Sequence, residues 1–130
     1  MKETIKIISD IAIDVYAKLG SGYNEAVYDR AMQVGLRQAG IKYESQKVVE
    51  LLYLDHYVGE GYADIIVDAG KGKKIVVELK ATGSKLGVPE KRQLLNYMEL
   101  KGIKHGLLIN FTQPGKNTEE TELDIMPVKQ

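Results

Sequence analysis

Three positions in the middle of the chain bear most on the chemistry it could perform. Glu78-Leu79-Lys80 closes an apolar run that begins Ile75-Val76-Val77. Side chains alternate along a strand, so Val76, Glu78 and Lys80 share one face and Val77 and Leu79 the other. A carboxylate and an ammonium on a covered face are costly unless they are paired or hold an ion. Glu-x-Lys alone means little. With 18 acidic residues among 130, chance supplies roughly two acid-x-Lys triplets, and Glu99-Leu100-Lys101 is a second. An exposed same-face ion pair of small energetic value would read the same way.

Asp64 helps to separate those readings. It interrupts Tyr62-Ala63-Asp64-Ile65-Ile66-Val67, and Gly70-Lys71-Gly72 marks the turn that follows. A three- or five-residue loop centred on Lys71 sets Asp64 opposite Glu78, with Cβ atoms about 5 Å apart on one face. Like charges so placed destabilise a sheet, and a divalent cation between them turns repulsion into coordination. A slip of one residue would send Asp64 to the other face. Gln93 and Tyr97 are four apart and share a helix face, although a core-edge aromatic beside a solvated amide has the same spacing. Glu25, within Gly22-Tyr23-Asn24-Glu25-Ala26-Val27-Tyr28, falls in a first helical turn, where the helix dipole alone favours a carboxylate.

The elements that must position these groups follow from periodicity. Ile5, Ile8, Ile11, Val15 and Leu19 predict a helix over 2–19, ended by Gly20-Ser21-Gly22. Asn24 as N-cap and Gly40 past the C-terminus predict a second helix over about 24–39. From Lys42 to Lys80 β-branched and aromatic residues dominate. Turn signals at Asp55-His56, Gly59-Glu60-Gly61 and Gly70-Lys71-Gly72 suggest a three-strand antiparallel meander. Pro89 and Gly102 bracket a third helix over about 89–100. His105–Phe111 reads as a central strand, and Glu122–Val128 as one more. The expected fold is an α/β sandwich with a mixed sheet. The expected organisation is one domain over 1–130, with a core of about 5–111 and a C-terminal extension over 112–130. The stretch Gln113–Glu122 is compositionally biased.

Composition narrows the chemistry. Eighteen basic and 18 acidic residues give zero formal net charge, which argues against coating nucleic acid or anionic membrane by bulk charge, though not against a local basic groove. Zero cysteines exclude thiol nucleophiles, disulfide frameworks, zinc ribbons and iron–sulfur clusters. His56 and His105 cannot alone build a structural zinc site, so any metal should be a hard ion with oxygen ligands. Both histidines suit surface or edge roles. No Walker loop, Gly-x-Ser-x-Gly or His-Glu-x-x-His is present. Charges inside the first apolar stretch argue against a secretory signal, and no run reaches the roughly 20 apolar residues of a membrane span. The expected location is cytoplasmic, with no membrane partner.

Taken in order, these residues resemble a known family. Gly22, Glu25 and Tyr28 match the motif of the GxxExxY protein family. Asp64, then Glu78-Leu79-Lys80, then Gln93 with Tyr97, are similar to the D…E-x-K…Q-x-x-x-Y series of the PD-(D/E)xK nuclease superfamily, in its RecB-type branch. Ala63 stands where the superfamily name has Pro. The resemblance spans about Ile5 to Phe111 and implies a restriction-endonuclease-like αβββαβ core. It implies a metal-dependent nuclease, with DNA ahead of RNA as substrate. Asp64 and Glu78 would bind Mg²⁺ or Mn²⁺, helped by the Leu79 carbonyl. Glu25 would hold a water or complete the ion's shell. Lys80 would orient or activate the attacking water, and Gln93 and Tyr97 would support the site. The rival expectation is a catalytically inactive module of the same fold, serving as a nucleic-acid or protein adaptor. Lys71, Lys73 and Lys74 at the hairpin tip, and Lys85, Lys91 and Arg92 around the third helix, are candidates for contacting phosphates, and a homodimer is a further expectation.

Overall fold

Ile8, Ala12 and Val15 recur at helical spacing and form the buried stripe of helix α1 (Lys2–Leu19). Asn24 caps α2 (Glu25–Gln38), its side chain accepting from the Val27 N–H, and Tyr28, Met32 and Leu36 turn inward. Gly102 adopts the left-handed conformation that stops α3 (Val88–Lys101). The strands are β1 (Tyr43–Tyr53), β2 (His56–Asp68), β3 (Lys74–Lys80), β4 (His105–Phe111) and β5 (Leu123–Lys129). A computed structural model describes residues 1–115 and 122–130. The middle of the biased stretch Gln113–Glu122, residues 116–121, lies outside them.

The five strands form one mixed sheet in the order β1-β2-β3-β4-β5. Only β3 and β4 run parallel, which the crossover through α3 makes possible. Helices α1 and α2 cover one face, over Ile65, Val67, Ile75, Val77, Leu79, Leu107, Ile109 and Phe111. Helix α3 covers the other through Leu94, Tyr97 and Met98, against Ala63, Ile66, Val76 and Leu108. This is the expected αβββαβ arrangement with a fifth strand added. No helix among the described residues is long and apolar enough to cross a membrane.

Register follows the expected hairpin. Ile65 faces Val77 and Ile66 faces Val76, the pairing that a loop centred on Lys71 dictates. Three successive residues there, Gly70, Lys71 and Gly72, have positive φ, a local geometry that favours glycine at both flanks. Gly59-Glu60-Gly61, in contrast, is not a turn. It lies inside β2, with Gly59 facing Leu51 where the ladder shifts register and Gly61 facing Val49. Gly61 has a packing reason: a Cβ there would overlap the Tyr97 hydroxyl.

The long β1–β2 ribbon also changes phase. Odd-numbered Tyr43, Ile65 and Val67 pack toward α1 and α2, whereas odd-numbered Val49 and Ala63 pack toward α3. The change falls at Gln46, whose φ is +49° and which the ladder skips together with Asp64. Irregular strand geometry of this kind re-aims side chains.

Gly106 on β4 lies beneath α3, where a Cβ would stand 2.6 Å from Met98 Sδ and 3.1 Å from both Leu94 methyls. Leu94 and Met98 are fully buried, so they have little room to yield. Gly106→Val is predicted to lower stability by about 1–3 kcal/mol. An unchanged urea midpoint would contradict this packing of α3 on the sheet.

Candidate active site

Beyond Ile65↔Val77 the β2–β3 ladder stops, and side chains take over its hydrogen bonds. The Leu79 N–H donates to Asp64 Oδ2 at 2.8 Å, and the Asp64 N–H donates to Glu78 Oε1 at 3.4 Å. Each strand thus binds the carboxylate of the other. Glu78 is 4% exposed and Asp64 is half-buried. No buried side-chain nitrogen or oxygen among the described residues lacks a partner, so the remaining oxygens of the pair are either bonded or open to solvent.

The pair is electrostatically unfavourable when both members are charged. Burial pushes the Asp64 carboxyl up to about 6, with Glu25 and Asp29 adding to the rise and the Leu79 N–H and Lys80 opposing it. Burial and then the facing Asp64 push Glu78 up to about 8, against the Asp64 N–H and Lys80. Tyr97 is raised by burial, then by Glu78. Lys80 acts on four carboxyls, those of Glu25, Asp64, Glu78 and Glu90. It makes no ion pair with any of them among the described residues.

Glu25 reaches this cluster from the other helical layer. Its carboxyl is raised by partial burial, opposed by Lys80 and reinforced by Asp29. The loop that delivers it is held at several points. Gly22 has φ +107°, a conformation that a side chain disfavours. Its N–H donates to Gln113 Oε1 at 2.6 Å. Tyr28 is fully buried, stacks on Phe111 at 4.5 Å between ring centroids, and donates to the Gly20 carbonyl at 2.7 Å. Gly22 and Tyr28 therefore position Glu25. On the opposite side Gln93 Nε2 donates to the Tyr97 hydroxyl at 3.4 Å, and Tyr97 rests on Gly61 of β2.

Glu25, Asp64, Glu78 and Lys80 are thus brought into electrostatic range of one another, Tyr97 into range of Asp64 and Glu78, and Gln93 joins them through Tyr97. Lys85 lies exposed in the loop after Lys80, and Lys91 and Arg92 lie exposed at the start of α3. Lys71, Lys73 and Lys74 do not join them. They sit at the other end of β3, with Lys74 six residues before Lys80, or roughly 20 Å along the strand.

Two contributors escape a linear reading. Asp29 is buried on α2, accepts from Gln33 and raises both Asp64 and Glu25. Asn110, 1% exposed, sits beside Lys80 in the parallel ladder. It accepts from the Thr82 N–H and donates to the Thr82 and Ser84 carbonyls, fixing the loop that follows Lys80. An isolated Asn in an apolar strand was the one available signal.

The donor set fits a hard divalent cation: carboxylate oxygens from two strands, one buried and one half-buried, already in conflict with one another. No group of three or more His, Asp or Glu among the described residues forms a ready-made cage.

The raised carboxyls fix the sign of a pH effect. In the unfolded chain Asp64 and Glu78 lose their protons near 3.8 and 4.5, and in the folded protein only near 6 and 8. Their contribution to stability is therefore full below pH ~4 and is lost as pH rises through those folded values. In the presence of a chelator, the melting temperature is predicted to fall between pH 5 and 8, and Glu78→Gln should flatten that slope. A slope identical in wild type and variant would refute the coupling.

Comparison with known proteins bears on this arrangement. No curated protein matches the chain. A solved structure described as "Crystal structure of SSO0001" superposes with a TM-score of 0.55 at 20% identity, over 82% of this chain and 51% of that one. The chain therefore spans about half of that protein, and the likeness is one of fold. A family model described as PD-(D/E)XK nuclease superfamily matches residues 2–122. That match takes in the helix bearing Glu25, the strands bearing Asp64 and Glu78-Leu79-Lys80, and the helix bearing Gln93 and Tyr97, and the chain belongs to the PD-(D/E)XK nuclease superfamily.

Proposed function

We propose that the protein is a metal-dependent nuclease that hydrolyses phosphodiesters of DNA in preference to RNA, of the GxxExxY type in the RecB-type branch. The observation that carries this reading is the mutual hold of Asp64 and Glu78 across β2 and β3, with Lys80 beside them and paired to neither. Asp64, Glu78 and the Leu79 carbonyl would hold Mg²⁺ or Mn²⁺, with Glu25 completing the shell directly or through water. The bound ion would neutralise the phosphate and lower the pKa of a coordinated water. Lys80 places a fixed positive charge where negative charge grows on the phosphate and can orient the attacking water. Tyr97, set by Gln93 and by Gly61, holds the α3 side of the site in place. Lys85, Lys91 and Arg92 would contact the flanking phosphates.

A cation that binds only the folded state raises its stability, so millimolar Mn²⁺ should raise the melting temperature of the wild type but not of Asp64→Ala. Incubating a panel of single-stranded, duplex and branched DNA and of RNA with Mn²⁺ should show cleavage of a DNA form. Asp64→Ala or Lys80→Ala should reduce that cleavage by at least ~100-fold, the scale of losing one electrostatic or acid–base contribution. Equal cleavage by wild type and both variants would refute the site. Retention of DNA at low salt with no cleavage by the wild type would replace turnover with an adaptor role.

A further inference from the structure

The other end of the sheet carries a second charged feature. At the N-terminal ends of β3 and β4 lies a cavity of about 420 Å³. Its lining includes Lys73, Lys74, Lys101, Lys104 and His105, and no acidic side chain. The lysines come from separate segments, the β2–β3 turn with the start of β3 and the α3–β4 connection, so the cluster is a product of folding. Lys129 approaches from β5. The protein has zero net charge, yet none of these five lysines makes an ion pair among the described residues.

Three nearby features could offset this charge. Glu44 lines a neighbouring cavity together with Lys74 and Asp68, but it pairs with Lys47. Asp68 faces Lys74 across the ladder, but its carboxylate accepts from the Gly70 N–H and forms no ion pair with the lysine among the described residues. The end of α3 presents carbonyls of partial negative charge, but Glu99 O accepts from the Gly102 N–H and Met98 O from the Ile103 N–H. His105 registers the positive field: burial first, then Lys129, Lys73 and Lys104 hold its imidazole below the usual histidine range.

We propose that this cavity is a phosphate-binding site, separate from the carboxylate cluster and roughly 20 Å from it along β3. Its volume is within the span of small-ligand sites, and four lysines lining one cavity from separate segments suit a tetrahedral dianion or a backbone phosphate. The phosphate belongs either to a free phosphate-bearing small molecule or to the backbone of a nucleic acid. The second source rests on the nuclease reading, because a duplex rises 3.4 Å per base pair and the two sites would then be about six base pairs apart. The phosphate chemistry itself does not depend on that reading.

The test compares wild type with the double variant Lys101→Gln/Lys104→Gln in a chelator, so that no cleavage occurs. Titrations use inorganic phosphate and, separately, a short duplex DNA without terminal phosphates. Loss of phosphate binding with unchanged duplex binding identifies a small-molecule site. A duplex salt slope, log K against log salt, that falls in magnitude by about two identifies backbone contact, since each neutralised phosphate contributes about 0.9. Unchanged binding of both probes overturns the proposal. A retained Mn²⁺-induced rise in the variant's melting temperature confirms that its fold and carboxylate cluster are intact. Failure of the nuclease reading would show elsewhere, as absence of cleavage by the wild type.

Discussion

The fold is organised around an electrostatic conflict held in place by the backbone. Asp64 and Glu78 stand next to each other on adjacent strands, and each accepts an N–H from the other's strand. Two carboxylates cannot be buried together at low cost unless a proton or cation accompanies them. The sheet does not close at this point, and the stability that tolerates the conflict comes from elsewhere. On one side α1 and α2 bury Ile8, Tyr28, Met32 and Leu36 against the strands, and on the other α3 buries Leu94 and Met98. The site lies where the β2–β3 hydrogen-bond ladder ends, and the two helical layers bring Glu25 and Tyr97 toward it from opposite faces.

Zero net charge conceals a polar molecule. Glu25, Asp29, Asp64 and Glu78 gather at one end of β3, with Lys80 among them. Lys73, Lys74, Lys101 and Lys104 gather at the other. Helix α3 and strand β3 connect the two ends. Formal charge summed over the chain therefore predicts little about what either end attracts.

Much of this was legible in the sequence, for identifiable reasons. Helix limits were readable because Asn24, Pro89, Gly40 and Gly102 act locally. The register of Ile65 against Val77, one step from Asp64 and Glu78, was readable because a tight turn fixes pairing by counting from Lys71. The resemblance carried by Gly22, Glu25 and Tyr28 pointed to Glu25, and the structure adds how Gly22 and Tyr28 hold the loop beside it. Other features depend on neighbours distant in sequence. Gly59-Glu60-Gly61 looks like a turn until Tyr97 is placed over Gly61. Asn110 looks like an ordinary strand residue until the loop at Thr82 and Ser84 folds over it. The position of Lys71, Lys73 and Lys74 at the far end of β3 was not readable, because sequence proximity to the site strand does not reveal which end of that strand a residue occupies.

The phase change shared by Gln46 and Asp64 divides the β1–β2 ribbon into an inner and an outer portion. Inside the break, the ribbon is bound to the sheet and to the carboxylate cluster. Outside it, beyond Val49 and Gly61, Leu52, Tyr53, Leu54, Tyr57 and Val58 are all more than half exposed. The tip of the ribbon is thus a largely apolar, exposed end, while the stretch between it and the break packs against α3. Changes of length or composition at that tip would alter what the protein touches while leaving the hydrogen bonds between Asp64, Glu78 and Leu79 untouched.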